Sequence, residues 1–420
     1  MDLSIGYACL GIGVPGAVFR TTTMKYASKE KLEELIRSNL HALKHILSYN
    51  IHHEIRLFRI SSDLIPFGSN PINTLDWTWR FQSEWEELAG MIRQGNLRVS
   101  MHPGQYTVLN SPDDGVVERA IADLNYHEKV LSNLGTDFSH KIILHIGGAY
   151  GDKESALFRF KRNYTRLPDR VKGRLVLEND DRIYTIEEAL KVGQELHIPV
   201  VFDNLHHLVN PPLEKMGEME WMKLAHETWT GKDGCPKIHY SQHHLQKKSG
   251  SHSHTIDLKR FKEFYDRIPL PMCDIMLEVK DKNLSAMKCI NGTRKNKHIR
   301  YLEEEWALYK YSVLERSPGH YQGIRNLLKE KDGYPVEEFY RQIDEALRIE
   351  GTMGTLRNGI QHVWGYMKNL VTEEEKEVMA GQIRKWEEGT LSLATLKKRL
   401  RILAEKYQQS YLIKSYYFAL

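Results

Sequence analysis

The stretch VVFDNLHH at residues 200–207 holds the pattern on which our fold prediction rests. Its first three residues are apolar and predict a short buried strand. Asp203 stands where this strand ends, and His206 follows three residues later. A buried strand that ends in Asp-x-x-His places two metal-capable side chains at one edge of a sheet, although Asp and His are also common in solvated turns.

The same alternation of apolar run and helical segment recurs along the first 290 residues. Apolar runs predict eight strands, at residues 4–10, 54–60, 97–101, 141–146, 174–177, 198–202, 237–240 and 274–277. Helical spacing predicts helices at residues 29–48, 79–94, 115–134, 154–167, 186–196, 212–230, 258–268 and 283–289. Continuous β-branched runs are typical of buried parallel strands. Eight such units, without a glycine-rich fingerprint after the first strand, predict an α/β fold of the closed (β/α)8 TIM-barrel type.

The pattern changes after about residue 290. Residues 281–300 carry six basic side chains and one acidic side chain, and residues 301–420 show helical spacing without a strand candidate. We therefore predict a barrel domain at residues 1–290, a basic linker at 291–300 and an all-helical domain at 301–420. The basic segment and the pair Lys247 and Lys248 could follow a DNA backbone or form solvated charged faces.

Composition narrows the classes of function. The net charge of +4 is only mildly basic and does not by itself indicate a nucleic-acid partner. The 20 histidines favour a search for metal ligands. Four cysteines without a C-x-x-C pair argue against a zinc ribbon or a disulfide framework. We find no signal-peptide pattern and no run of about 18 apolar residues, so we expect a cytoplasmic protein without a membrane span.

Polar side chains end six consecutive predicted strands, and this is the strongest functional signal in the sequence. TIM-barrel enzymes carry their chemistry at the carboxyl ends of the strands, which we call the rim. The candidate ligands there, including two in the loops that follow, are His102, His145, Glu178, Asp203, His206, His239, His252 and Glu278. Imidazoles and carboxylates together suit zinc, manganese or iron. Eight ligands exceed one tetrahedral shell, so we expect two or three divalent ions with a carboxylate such as Glu178 as a bridge. Closely spaced metals favour phosphodiester cleavage.

Seven short stretches also give the chain a resemblance to a known family. They are IGY at 5–7, RISSDLIP at 59–66, HPGQY at 102–106, LHIG at 144–147, LEND at 177–180, FDNLH at 202–206 and KIH at 237–239. In this order they resemble the UV DNA damage endonucleases, relatives of the barrel apurinic endonucleases. The resemblance covers roughly residues 3–290. It implies a DNA repair enzyme that uses divalent metals, usually manganese with zinc or magnesium as alternatives, to incise double-stranded DNA immediately 5′ of UV photoproducts. Abasic sites are a further candidate lesion.

The resemblance implies an assignment of the ligands to three ions. The first ion would take His102, His145 and Glu178; the second Glu178, Asp203, His239 and Glu278; and the third His206 and His252. Gln105 and Tyr106 would wedge into the duplex and fill the gap that extruded bases leave. Without the family, Tyr106 could equally pack on its own loop.

Three further residues take roles from the resemblance, and each role has an alternative. Lys237 would join Glu178 in catalysis as a carboxylated lysine, or it would face phosphate as an ammonium. Tyr7 would act near the damaged nucleotides, or it would be a core tyrosine. Asn70 stands where the family often has a histidine, so we group it with the lesion-binding residues and leave its metal role open. We expect His207 to point away from the metals.

Two other functions remain open from the sequence. A sugar isomerase of the xylose-isomerase type would share the metals and the rim, but it should lack the Gln105–Tyr106 wedge. A non-catalytic DNA-damage binding protein would need an incomplete metal set, and Asn70 is the visible gap. We expect a monomer without a membrane partner. The helical tail resembles a small bacterial domain of unknown function, through WGY at 364–366 and EEEK at 373–376.

Overall fold

Eight parallel strands close into a barrel in the computed structural model, which describes residues 3–244, 247–248, 250–268 and 273–420. The strands are β1 (Ile5–Ala8), β2 (Leu57–Ile60), β3 (Arg98–Met101), β4 (Ile142–His145), β5 (Leu175–Glu178), β6 (Val200–Asp203), β7 (Lys237–Tyr240) and β8 (Asp274–Leu277). Each strand pairs in parallel with the next, and β8 pairs with β1. The predicted TIM barrel is confirmed.

Helices follow the strands and then continue without strands to the end of the chain. In the first part they are α1 (Lys29–His52), α2 (Trp77–Arg80), α3 (Gln82–Gln94), α4 (Asp114–Asn133), α5 (Lys153–Tyr164), α6 (Asp169–Arg174), α7 (Ile186–Leu196), α8 (Asn204–Val209), α9 (Glu218–Glu227), α10 (Leu258–Tyr265) and α11 (Asn283–Thr293). In the second part they are α12 (Arg300–Leu314), α13 (Pro318–Leu327), α14 (Val336–Arg348), α15 (Met353–Gly365), α16 (Glu373–Glu387), α17 (Leu393–Lys406) and α18 (Ser410–Lys414). Short 3-10 helices cover Met24–Tyr26, Ser62–Leu64 and Tyr416–Phe418. Within the described ranges, no helix is both long enough and apolar enough to cross a membrane.

All eight predicted strands are present; β7 and β8 have the predicted bounds, and the other six differ at one or both ends. β1 ends at Ala8 rather than at residue 10, because Cys9 takes a left-handed backbone with φ of 72° and turns the chain away. Glu178 and Asp203 are the last residues of their strands rather than the first residues after them. Helix α8, which we did not predict, follows β6 directly because the Asp203 carboxylate caps it and accepts from the His206 N–H at 2.7 Å.

One side of the barrel interior beneath the rim is apolar. Ala8, Leu57 and Met276 form a buried cluster on the inward faces of β1, β2 and β8. A Cβ atom added at Gly6 would lie 2.0 Å from the carbonyl oxygen of Leu57, so only glycine fits this close approach of β1 to β2. Outward residues such as Tyr7 and Phe58 pack edge to face, with ring centroids 5.2 Å apart. The polar rim therefore rests on a packed base.

The chain divides into two compact units. The first consists of Met1–Gly11 and Gly16–Ile290 and contains the barrel, and the second consists of Ile12–Pro15 and Asn291–Leu420. Of the residues predicted as a basic linker, 291–293 lie in α11 and 300 begins α12. The core of the second unit is built from buried apolar side chains of several helices, including Val363 of α15, Met379 of α16 and Leu400 of α17.

Candidate metal centre

The register of the barrel strands places four predicted ligands at the rim in two pairs. His145 of β4 pairs with Glu178 of β5, and Asp203 of β6 pairs with His239 of β7. Because register partners on adjacent parallel strands are neighbours, their side chains meet at the rim. His102 follows directly after β3 and lies against the same group. The strand ends thus converge as the sequence predicted.

Glu178 lies at the centre of this group. Its Oε2 atom is 3.1 Å from His102 Nε2 and 3.5 Å from His145 Nε2. Its Oε1 atom is 2.6 Å from His239 Nδ1. The two oxygens of one buried carboxylate therefore face different imidazoles, which is the arrangement that a bridging carboxylate requires.

Two sets of side chains could each hold a metal ion, because their ligand atoms lie within 4.8 Å of one another. They are His102, His145 and Glu178, and Glu178, Asp203 and His239. Asp203 Oδ2 and His239 Nε2 are buried and have no hydrogen-bond partner in the part of the chain that the structure describes. Buried polar atoms without a partner are costly, and a cation would satisfy the carboxylate oxygen. The donor set therefore fits divalent metals.

Glu278 extends the centre beyond His239. Its Oε1 atom is 3.3 Å from His239 Nδ1, and it forms an ion pair with the partly buried guanidinium of Arg59. Burial raises the pKa of Glu278, but the charges of Arg59, His239 and His252 together outweigh burial and hold the pKa well below its usual range. His252 Nδ1 lies 3.8 Å from Glu278 Oε2. Arg59 thus keeps the Glu278 carboxylate ionised and in place.

His206 lies on the other side of the centre. Its Nδ1 atom is 3.7 Å from Asp203 Oδ1, 3.8 Å from Glu178 Oε1 and 2.9 Å from the carbonyl oxygen of Asn179. Burial opposes a charge on His206, but the carboxylates of Asp203 and Glu178 outweigh burial and raise its pKa to about 9. His206 is thus near Asp203 and His252 is near Glu278, and their assignment to one third ion stays a prediction.

The remaining pKa values follow from burial and from neighbouring charge. Burial lowers the pKa of His102 to about 4, so its ring is neutral, as a metal ligand must be. Burial also raises the pKa of Asp203. Burial works against the charge of Glu178 too, but the imidazoles of His239 and His145 hold its pKa well below the usual range.

Lys237 lies one layer beneath the rim. It is the first residue of β7, two positions before His239 and on the same face of the strand. Its side chain is buried, and its Nζ atom has no hydrogen-bond partner among the residues that the structure describes. Burial, together with the positive charge of Arg98, lowers the pKa of Lys237 to about 7. Lys237, for which we predict a catalytic role, therefore lies inside the barrel and below the candidate metal ligands.

Gln105 and Tyr106 form the tip of a turn after β3. The Thr107 N–H donates to the carbonyl oxygen of Gly104 at 2.9 Å, so these two residues are the central pair of a four-residue turn. Both are exposed, and Tyr106 is 72% exposed. A Cβ atom at Gly104 would lie 2.4 Å from the Tyr106 ring, so glycine leaves room for the ring. We call residues 104–107 the wedge turn.

Tyr7 does not reach the rim. Its side chain is fully buried on the outward face of β1, and its hydroxyl donates to Asn50 Oδ1 on α1 at 2.8 Å. This is the core position that the sequence left as the alternative. We therefore do not carry forward its predicted catalytic and lesion-contacting roles, because strand alternation directs the side chain away from the site.

Asn70 and His207 also lie apart from the central ligands. Asn70 is exposed in the loop after β2, and its Oδ1 atom accepts from the Ile72 N–H at 3.0 Å. Its side chain thus stabilises a local turn, and its lesion-binding role stays a prediction. The His207 ring packs against Phe202 with centroids 5.2 Å apart. We expected this side chain to point away from the metals.

We did not single out two buried polar residues of α4 from the sequence. Asp123 and His127 are four residues apart, so they lie on the same face of the helix. Asp123 contacts the loops after β2 and β3, and His127 contacts the loop after β2. Polar residues at core positions of an amphipathic helix are the signal that could have found them.

Two families match the chain. The family described as UV-endonuclease UvdE matches residues 3–307, and a family described as a protein of unknown function (DUF1722) matches residues 310–420. A UV DNA damage endonuclease of Clostridium perfringens (strain 13 / Type A) is 36% identical over 404 residues, which cover 95% of this chain and 97% of that protein. One of Bacillus cereus (strain B4264) is 37% identical over 283 residues, covering 66% of this chain and 89% of that protein. The crystal structure of SacUVDE has 35% identity and a TM-score of 0.65, and the match covers 69% of this chain and 97% of SacUVDE. The chain therefore belongs to the UV-endonuclease UvdE family.

Proposed function

We propose that this protein is a metal-dependent DNA repair endonuclease that incises double-stranded DNA immediately 5′ of UV photoproducts. The observation that carries the proposal is the position of Glu178, whose two carboxylate oxygens face His102, His145 and His239 at the rim. The names of the relatives, UV DNA damage endonuclease, support the class of lesion.

The proposed metal ligands follow from the grouping of side chains at the rim. One ion would be held by His102, His145 and Glu178, a second by Glu178, Asp203, His239 and Glu278, and a third by His206 and His252. We propose manganese, with zinc and magnesium as alternatives. Divalent ions at such a centre neutralise the phosphate and lower the pKa of bound water.

Neighbouring residues orient two of the proposed ligands, Asp203 and Glu278. Asn179 fixes Asp203 from two directions: its Nδ2 donates to the Asp203 carbonyl oxygen at 3.1 Å, and its Oδ1 accepts from the Asp203 N–H at 2.9 Å. Arg59 holds the carboxylate of Glu278 through an ion pair. Partners of this kind orient metal ligands and reduce the reorganisation that binding requires.

Lys237 supports the proposed centre from beneath. Its buried Nζ atom has no hydrogen-bond partner in the described parts of the chain, which argues against a purely structural ion pair. We propose that it acts either as a carboxylated lysine, which would add an anion near the ions, or as an ammonium that faces phosphate. Mass spectrometry of the intact protein under mild conditions distinguishes the two forms.

Lesion recognition is assigned to the wedge turn. Gln105 and Tyr106 are exposed at its tip, where an amide and an aromatic ring can replace bases that leave the stack. A photodimer is already poorly stacked, so extrusion costs less there than at intact bases. This difference would direct the enzyme to damaged sites.

Incision of supercoiled plasmid tests the proposal. Irradiated, abasic and intact plasmids are incubated with manganese or with a chelator, and the break is mapped on a sequencing gel. We expect manganese-dependent nicking of irradiated plasmid directly 5′ of the lesion, and no nicking of intact plasmid. Absence of manganese-dependent incision would overturn the proposal, and binding of irradiated plasmid without incision would instead indicate a damage-binding protein.

A further inference from the structure

We infer that Asp123, a buried carboxylate of α4, is a positioning residue that holds the wedge turn in the shape that enters damaged DNA. We rest this inference on the proposed function, because it assumes that Gln105 and Tyr106 contact the duplex. Asp123 lies outside the metal ligands and acts through another residue of the turn.

The first support is the contact between Asp123 and the end of the wedge turn. The Thr107 hydroxyl donates to Asp123 Oδ2 at 2.6 Å, and both side chains are buried. Ser69, in the loop after β2, donates its hydroxyl to Asp123 Oδ1 at 2.9 Å. Hydrogen bonds to a carboxylate are stronger than neutral ones. One side chain thus joins two rim loops to a helix of the barrel.

The second support is a matching anchor before the turn. His127 lies one helical turn after Asp123, and its Nε2 atom is 2.9 Å from the Ser62 hydroxyl oxygen. The Ser62 hydroxyl donates to the carbonyl oxygen of His102 at 2.8 Å. The chain is therefore held at His102, two residues before the wedge turn, and at Thr107, the last residue of the turn, while the two tip residues stay exposed.

These anchors have a physical consequence for recognition. A tip that must displace stacked bases gains affinity when its conformation is set before binding, because less entropy is lost on contact. The backbone bond from Thr107 to Gly104 closes the turn, but it does not fix how the turn is tilted on the barrel. The Asp123 contact supplies that restraint. Losing it should weaken lesion recognition and leave the metal ligands intact.

Thr107→Val is the sharpest test, because it removes the donor and keeps the shape of the side chain. Thr107→Ser restores the donor, and Asp123→Asn weakens the acceptor. Thr228→Val is a matched control, since the Thr228 hydroxyl also makes two hydrogen bonds, with the Val200 N–H at 2.8 Å and the Ala225 carbonyl at 2.6 Å, at the start of β6 and thus far from the rim. The double variant Gln105→Ala, Tyr106→Ala lacks both side chains at the tip and shows how far lesion recognition falls without them.

The substrate is a short duplex with one photoproduct and a 2-aminopurine opposite it, whose fluorescence rises when the base leaves the stack. For Thr107→Val we expect a weaker fluorescence rise, a KM raised about tenfold and a kcat changed by less than about threefold, which matches the loss of one hydrogen bond to a charged group. Bound manganese should be unchanged. Thr107→Ser and Thr228→Val should stay within about twofold of the wild type.

Three other outcomes would contradict the positioning role or the proposed function. Wild-type fluorescence and KM in both Thr107→Val and Asp123→Asn overturn the positioning role alone. Loss of manganese in Thr107→Val also overturns it, because the bond would then support the metal centre. If the wild-type protein fails to incise the duplex, the proposed function falls and this inference falls with it.

Discussion

The rim of the barrel and the core of the helical unit both bury carboxylates, but they surround them with different charges. In the helical unit, Glu315 Oε1 lies 2.7 Å from Lys397 Nζ and 2.6 Å from Arg316 Nη1. At the rim, Glu178 faces imidazoles instead. The helical unit therefore carries the compensating cations for Glu315 within its own sequence.

Three carboxylates meet at the rim, and one guanidinium lies beside them. Glu178, Asp203 and Glu278 lie together, and Arg59 pairs with Glu278. Asp203 Oδ2 is buried without a hydrogen-bond partner in the described ranges. A buried charge without a partner is strongly unfavourable. The barrel centre could therefore accept cations from outside the chain, whereas Glu315 is balanced by Lys397 and Arg316 of its own unit.

Glu178→Gln should cause the largest loss of incision. The amide keeps the shape of the side chain but removes the charge that would bridge two ions, so we expect incision to fall at least about 1000-fold. Bound manganese should fall with it, while the thermal unfolding curve keeps its cooperative transition. Glu315→Gln is the matched control and should incise like the wild type. Full activity of Glu178→Gln would contradict the proposed bridge.

Lys397→Met should cost stability and spare activity. It removes one of the two cations beside the buried Glu315 carboxylate, so we expect the free energy of unfolding to fall by about 3 kcal/mol. Calorimetry and urea unfolding of the full chain measure this change, and plasmid nicking should stay within about twofold of the wild type. Loss of nicking in a folded Lys397→Met protein would show that the helical unit takes part in the reaction.

Glu305 is a second buried carboxyl of the helical unit. Among the described residues its hydrogen-bond partner is the Tyr340 hydroxyl, and it forms no ion pair with a cation. Burial raises its pKa to about 7, against the lowering effects of the Tyr340 hydroxyl at 3.3 Å and of the charge of Arg294. The folded state therefore holds this proton more tightly than the unfolded state. The resulting stability is fully present below about pH 4.3, the unfolded carboxyl pKa, and is lost as pH rises through 7.

Urea unfolding between pH 4 and pH 8 measures this dependence. We expect Glu305 to contribute a loss of about 3 kcal/mol across that window, from about 1.4 kcal/mol for each unit of pKa shift. Glu305→Gln should flatten the curve, because the amide does not titrate. An unchanged curve in Glu305→Gln would assign the pH dependence to other groups.

Tyr7→Phe should have the smallest effect. It removes the hydrogen bond to Asn50, so we expect the free energy of unfolding to fall by about 1 kcal/mol. Incision should stay within about twofold of the wild type, because the ring is buried away from the rim. A large loss of incision without loss of stability would restore the catalytic role that the resemblance implied.

Much of the barrel could be predicted from the sequence, because the signals are local. Continuous apolar runs indicate buried parallel strands, and the polar residues at the ends of six consecutive runs mark the rim. Glu178, Asp203 and His239 were placed correctly at one edge on this basis alone. The predicted boundary near residue 290 depends on the same kind of local signal, the change from strand patterns to helical spacing.

Only the tertiary structure decided where individual side chains point. Tyr7 lies one residue before the end of β1, yet the direction of its side chain depends on how the strand sits in the closed barrel. Lys237 shares a face with His239 but lies one layer below it. The bond between Thr107 and Asp123 joins a loop to a helix across 16 residues of sequence. Sequence periodicity describes one element at a time. It therefore predicted that the candidate ligands meet at the rim, but it could not predict the side-chain contacts between different elements.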